Sequence, residues 1–136
     1  MNFSMDNTAV REEICRIGQS LFARGYVHAS AGNISVRLDD GFLITPTDAC
    51  LGFLQPDELA FVDAQGVQLS GKRASKTLSL HQAIYSASMV LSANTRCVIH
   101  THSTHLVALS LRNTPLTTDL GAELLPPITP YFVMKV

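Results

Sequence analysis

Arg96-Cys97-Val98-Ile99-His100-Thr101-His102-Ser103-Thr104-His105 sets the frame for the whole chain. Cys97-Val98-Ile99 is a short, apolar, β-branched run, which predicts a strand entering a core. Side chains alternate between the two faces of a strand. His100 and His102 are therefore expected to point the same way, with Cα atoms roughly 7 Å apart. Two imidazoles so placed can grip one divalent ion from one side of a sheet, and they can equally form a plain hydrogen-bonded pair. A zinc-type site takes at least three protein ligands, so the remainder must come from elsewhere. Ser103 or Thr104 can cap a following helix, expected from about Thr104 to Leu111, which carries His105.

Upstream of this strand, Ser75 is a natural cap for a helix from about Lys76 to Leu91. Leu80, Ile84, Ala87 and Leu91 predict its inward stripe, with His81 one position off it as a partly buried, hydrogen-bonded histidine. At the other end of the chain, a helix is expected from Asp6 or Thr8, after a frayed Met1–Met5. Val10, Ile14, Ile17 and Leu21 form its apolar stripe, and Gly25 is its stop. Glu12 and Glu13 are placed in its early turns, where the helix dipole favours acids.

Between the two helices the chain reads as antiparallel strands. Ile34–Leu38 and Phe42–Thr45 flank the turn signal Asp39-Asp40-Gly41. Leu59–Val62 and Val67–Leu69 flank Asp63-Ala64-Gln65-Gly66, and Gln55-Pro56-Asp57-Glu58 starts a turn or short helix. The loop His28–Gly32, with Asn33, is rich in small residues. It can aim N–H groups at an anion, or be an ordinary turn. Thr47–Gly52 is a second polar loop. Downstream, Asn113–Gly121 is expected to be loop, and Leu125-Pro126-Pro127-Ile128-Thr129-Pro130 rigid and extended. The apolar run Tyr131–Val136 reads as a strand cut short, so the chain is expected to be a single domain, 1–136, with its C-terminal part missing.

Composition narrows the partners. Of 136 residues 46% are apolar and 15% charged, enough for a real core and few charges for its surface. That low charged fraction fits a surface partly buried against copies of the same chain. The net charge of −1 and the lack of a basic run give no support for nucleic acid or membrane surfaces as partners. Cys15, Cys50 and Cys97 are odd in number and irregularly spaced, which points to a reducing, cytoplasmic setting rather than a disulfide framework.

Five stretches in this order resemble the class II aldolase/adducin family. They are Ser30-Ala31-Gly32-Asn33-Ile34-Ser35, Leu43-Ile44-Thr45-Pro46-Thr47, Ser70-Gly71, Ser75-Lys76 with His81 downstream, and Val98-Ile99-His100-Thr101-His102. Thr47–Gly52 and Leu125–Tyr131 look most like the 3-oxo-tetronate 4-phosphate decarboxylase branch. The resemblance implies an α/β fold, a three-layer α/β/α sandwich around a mainly antiparallel sheet, assembled as a homotetramer. It implies a divalent metal, commonly zinc, on His100, His102 and a third histidine beyond residue 136. His105 is the only downstream histidine present. It also implies that Gly32, Asn33, Thr47, Ser75 and Lys76 surround a substrate phosphate. The activity implied is a metal-dependent lyase that breaks a C–C bond beside a carbonyl in a small phosphorylated sugar or sugar acid, by decarboxylation or aldol cleavage.

Two positions depart from the family pattern. Thr77 stands where the family has a glutamate that serves as acid/base, and a threonine hydroxyl cannot accept a proton at neutral pH. Asp48 stands where glycine is common, and an acid there would repel a phosphate or pair with Lys76. Thr77 and the lack of a third histidine also fit the adducin branch, which keeps the fold as a non-catalytic binding and assembly module.

Overall fold

The computed structural model describes residues 7–91 and 94–110. Helix α1 (Thr8–Ala23) is followed by strands β1 (Asn33–Arg37), β2 (Gly41–Ile44), β3 (Ala60–Asp63) and β4 (Gln68–Ser70). Helix α2 (Leu78–Leu91), strand β5 (Cys97–His100) and helix α3 (Thr104–Ser110) complete the described chain. The five strands form one sheet in the order β4-β3-β2-β1-β5, every pair antiparallel. Two short 3-10 turns, Leu51–Phe53 and Pro56–Glu58, lie between β2 and β3.

The helix α1 ends as its sequence dictates. Gly25 takes a left-handed φ of +73°. Its N–H donates to Phe22 O at 3.0 Å, and the Tyr26 N–H reaches back to Leu21 O at 3.0 Å. Carbonyls that would otherwise lack a partner at the helix end are thereby satisfied. The helix N-terminus differs from expectation. Its first turn holds no acid. Glu12 and Glu13 fall beyond the reach of the dipole, which fades within one turn, and Glu13 pairs with Arg16 instead.

Ile14 lies in the main apolar core with Val27, Ile34, Leu43, Leu51 and Leu59, and Val10, Ile17 and Leu21 pack against it. Arg11 ties the helix to the turn beyond by donating to Pro56 O at 2.9 Å and Leu59 O at 2.8 Å. The turn into β4 is closed by Asp63, whose Oδ1 accepts from Gln65 N and Val67 N while Gly66 supplies a φ of +87°.

The sheet has two chemically different faces. In β1, Ile34 faces the α1 side. Ser35, one residue on, faces the α2 side and touches His81 and Tyr85. Cross-strand register extends this division. Ile99 stands opposite Ile34, Val98 opposite Ser35, and His100 opposite Asn33. On the α2 side, Phe42 stacks on Tyr85 at 5.6 Å between ring centroids, and the Arg37 guanidinium sits 5.5 Å over the same ring. Helices on both faces of the antiparallel sheet give the three-layer α/β/α arrangement.

The inward stripe expected for α2 is corrected by this face. Leu80 is 50% exposed and Ile84 40% exposed, whereas His81 and Tyr85 are buried. Ala87 also faces outward. The sheet surface beneath the helix carries the buried polar side chains of Asn33 and Ser35. The helix satisfies them by turning its two hydrogen-bonding residues inward, because buried polar groups left without partners are costly. The expectations for Met1–Met5, Leu111, Asn113–Gly121, Leu125–Pro130 and Tyr131–Val136 lie outside the described residues.

Candidate active site

The two histidines of the central stretch come together. His100 is the last residue of β5, and His102 lies just past it, where its N–H donates to Tyr26 O at 3.2 Å. Their ring centroids are 4.7 Å apart with the planes tilted by 36°. Strand alternation predicted the pairing, but the strand ends at His100, and the anchor on Tyr26 holds His102 beside it. Burial pushes the pKa of His100 below its ordinary value, and the neighbouring His102 adds to this. Burial likewise lowers that of His102, with His28 as a second cause. Both shifts favour the neutral ring, the form that a metal requires. His100 Nδ1 is buried with no hydrogen-bond partner among the described residues.

Gly32 and Asn33 adjoin this pair. Asn33 lies directly across the ladder from His100. Gly32 has a φ of +83°, and a Cβ there would lie 2.9 Å from His100 O and 2.6 Å from Val27 Cγ1. Only glycine lets the loop approach β5 so closely. Ser75 reaches the same region through Thr45. The Thr45 N–H donates to Ile34 O at 3.0 Å, its Oγ1 accepts from Ile34 N at 3.1 Å, and Ser75 N donates to Thr45 O at 3.2 Å. Three segments, 32–34, 45–47 and 73–75, therefore run side by side, with Thr47 N bonded to Arg73 O at 2.9 Å. Thr47 is half-buried, and Lys76 carries its charge at the surface. The Thr77 Oγ1 lies 2.9 Å from Ser75 Oγ.

Other expectations are corrected or extended. His81 is fully buried rather than partly buried. Its Nε2 is 2.5 Å from Asn33 Oδ1 and its Nδ1 2.7 Å from Ser35 Oγ. Burial, and secondarily the charge of His100, pushes its pKa down to about 4. Asp48 is not among the ion pairs of the described residues. It takes a left-handed φ of +58° and lines a cavity of about 360 Å³ with Thr47, Glu58, Lys72 and Arg73. That cavity contains neither His100 nor His102 but is lined by Thr47, so it adjoins the expected phosphate residues rather than the histidine pair. His105 is exposed on α3, and no group of three His, Cys, Asp or Glu residues suited to a metal exists among the described residues. The anchoring of His102 on the Tyr26 carbonyl and the bridging role of Thr45 were not apparent from sequence. Thr45 sits inside a quoted motif, but nothing in its spacing singles it out.

Residues 12–136 match the family described as Class II Aldolase and Adducin N-terminal domain. The chain belongs to that family. It is 58% identical to a 3-oxo-tetronate 4-phosphate decarboxylase of Cupriavidus necator over 127 residues, covering 93% of this chain and 55% of that protein. It is 35% identical to an L-fuculose phosphate aldolase of Methanocaldococcus jannaschii, over 93% of this chain and 64% of that one. The crystal structure of YgbL from Escherichia coli superposes with a TM-score of 0.73 at 39% identity, covering 95% of this chain and 59% of that chain. The class II aldolase fold is thereby shared across sequence and structure. The chain spans a little over half the length of the first of these relatives.

Proposed function

We propose that this protein is a metal-dependent carbon–carbon lyase acting on a small phosphorylated sugar acid, in the manner of a 3-oxo-tetronate 4-phosphate decarboxylase. The observation that carries the reading is the juxtaposition of two side-by-side imidazoles, His100 and His102, with the Gly32-Asn33 loop on the adjoining strand. The donor set fits a divalent metal, most simply zinc, in its ligand type and protonation. The buried, partnerless Nδ1 of His100 marks a polar atom in want of a partner. A third ligand is needed to complete such a site. When bound there, the cation supplies positive charge that draws electron density from the substrate carbonyl beside the breaking bond.

The chain's own residues do the rest. Gly32, Asn33, Thr47 and Ser75 offer N–H and O–H donors to the phosphate, and Lys76 adds a point charge. Anchoring the phosphate at one end uses binding energy to hold the reacting bond in place at the other. In the decarboxylation the C1–C2 bond breaks, CO₂ leaves, and a proton is added at C2 to give dihydroxyacetone phosphate. No substrate hydroxyl has to be deprotonated, so this reaction asks less of Thr77 than aldol cleavage does. That difference favours decarboxylase over aldolase chemistry. The outward apolar residues of α2, Leu80 and Ile84, support assembly into a homotetramer. The three free cysteines support a cytoplasmic setting.

Thr77 also supports a second reading, a non-catalytic module of the adducin kind. One experiment separates the two. The whole protein is assayed for CO₂ release from 3-oxo-tetronate 4-phosphate, before and after complete chelation, alongside elemental analysis of the protein and of His100→Ala. A lyase loses turnover on chelation, and His100→Ala loses bound metal. Turnover that survives full metal removal ends the metal-dependent reading, and a protein with neither metal nor turnover is the module.

A further inference from the structure

We propose that His81 is a positioning residue: from inside the fold it grips the carbonyl end of the Asn33 amide and so fixes the amino end as the donor offered to the substrate phosphate. The inference rests on the reading that Asn33 belongs to the phosphate cradle.

The argument follows the protons along a buried chain of hydrogen bonds. It begins at Tyr85, whose hydroxyl lies 2.9 Å from Ser35 O and 2.8 Å from Ser35 Oγ. A backbone carbonyl can only accept, so the single Tyr85 hydroxyl proton goes to Ser35 O. The Ser35 hydroxyl lies within reach of both Tyr85 Oη and His81 Nδ1, 2.7 Å away, and the Asn33 amide oxygen beyond the ring decides between them: it can only accept, so Nε2 carries the imidazole proton and Nδ1 takes the Ser35 one. An accepting Nδ1 puts the imidazole proton on Nε2. Nε2–H donates in turn to Asn33 Oδ1 at 2.5 Å. With Oδ1 held inward, the Nδ2 amino group is the end of the amide turned away from His81. The opposite tautomer would draw the amino group inward and present a carbonyl oxygen, which repels an anion. The protonation of one buried ring thus sets the sign of the partial charge that Asn33 shows to its ligand.

The setting keeps this arrangement fixed. His81 and Ser35 have no solvent exposure, and Tyr85 and Asn33 very little. Burial holds His81 neutral through the physiological range, with its pKa near 4. Apolar side chains could fill a merely structural contact between α2 and β1. A satisfied polar chain that ends on a cradle residue instead specifies an orientation.

The test uses inorganic phosphate titrated into the whole protein, with four variants. A glutamine side chain reaches about as far as imidazole Nε2 and can donate to Asn33 Oδ1. An asparagine reaches only about as far as Nδ1 and keeps the Ser35 side. His81→Gln is expected to retain phosphate affinity within about threefold, and His81→Asn to lose about tenfold, the worth of one hydrogen bond to a charged ligand's donor. The tenfold loss is expected to vanish when His81→Asn is combined with Asn33→Ala. Nitrogen NMR of the unmodified protein is expected to place the His81 proton on Nε2.

Equal losses in the glutamine and asparagine variants, a loss that persists without Asn33, or a proton on Nδ1 would overturn the inference. Should His81→Asn not fold, the glutamine variant and the NMR tautomer decide. A protein that binds no phosphate at all overturns the cradle reading itself, and is told apart by failing before any substitution is made.

Discussion

Replacing Gly32 with alanine isolates the close approach on which the site depends. The residue sits at a φ of +83°, which costs an L side chain about 1–2 kcal/mol. The new methyl group would also lie 2.6 Å from Val27 Cγ1 and 2.9 Å from His100 O. Val27 is 2% exposed and stiff at its branched Cβ. The His100 carbonyl belongs to a strand. Neither neighbour yields cheaply, and such overpacking costs about 1–3 kcal/mol. Alanine restricts the unfolded chain and returns about 0.4–1 kcal/mol. The net loss expected is about 2–4 kcal/mol, a large share of a total stability of about 5–15 kcal/mol.

Gly66→Ala is the matched control. Its φ is +87°, and an added Cβ there meets nothing within 4 Å. Only the backbone cost applies, leaving a net loss of about 1 kcal/mol. Urea unfolding of both variants, read as a shift in midpoint at constant slope, gives the comparison. Equal losses at the two glycines would refute the reasoning, because the difference between them is the packing of the loop against Val27 and His100.

Acid provides another test. His81 ionises near pH 4 in the fold against an ordinary 6.5, so the unfolded chain binds a proton that the fold excludes. The resulting stability is present above pH 6.5 and lost as pH falls towards 4, by about 3 kcal/mol in all. The stability of the parent protein minus that of His81→Gln should fall by this amount over the window, and a difference independent of pH would contradict it. On the outer face of α2, Leu80→Asp with Ile84→Asp should leave the protomer's own stability within about 0.5 kcal/mol per substitution. Sedimentation should then show a smaller assembly, and an unchanged sedimentation coefficient would remove α2 from the subunit interface.

The legible parts of this fold are those in which one face of an element is uniformly apolar. The stripe of α1 lies on a sheet face of Ile34, Leu43 and other apolar residues, so period and burial agree. The strands could be read from their turn chemistry, and their limits shifted by only a residue or two. Helix α2 was misread for a definite reason. Periodicity assigns the apolar side to the interior, whereas the sheet beneath α2 carries Asn33 and Ser35, and the residues that answer them are His81 and Tyr85. No rule based on apolar spacing can find an interior face that is polar. The helix still had a signal, since His81 and Tyr85 lie four residues apart on one side.

The site was legible where chemistry and backbone period coincide, at His100 and His102, and less so where segments remote in sequence meet, as where Tyr26 O holds His102. Asp48 shows how a departure from a family pattern changes meaning once the backbone is known. An acid in place of glycine reads from sequence as an electrostatic statement about the substrate. The left-handed φ of +58° gives another reason for glycine at that position, and aspartate is among the few residues that adopt this conformation readily. Its exposed side chain opens on the cavity shared with Lys72 and Arg73, not on the face where Asn33 and His100 stand opposed. The requirement at Asp48 is thus conformational first, although its charge stands beside Thr47, which lines the same cavity. Thr77 differs in kind. Its hydroxyl is bonded to Ser75, inside the proposed cradle, and no backbone argument replaces the missing carboxylate. Of the two departures, Thr77 is the one that bears on the proposed chemistry, where it weighs towards a reaction in which CO₂ leaves without a base.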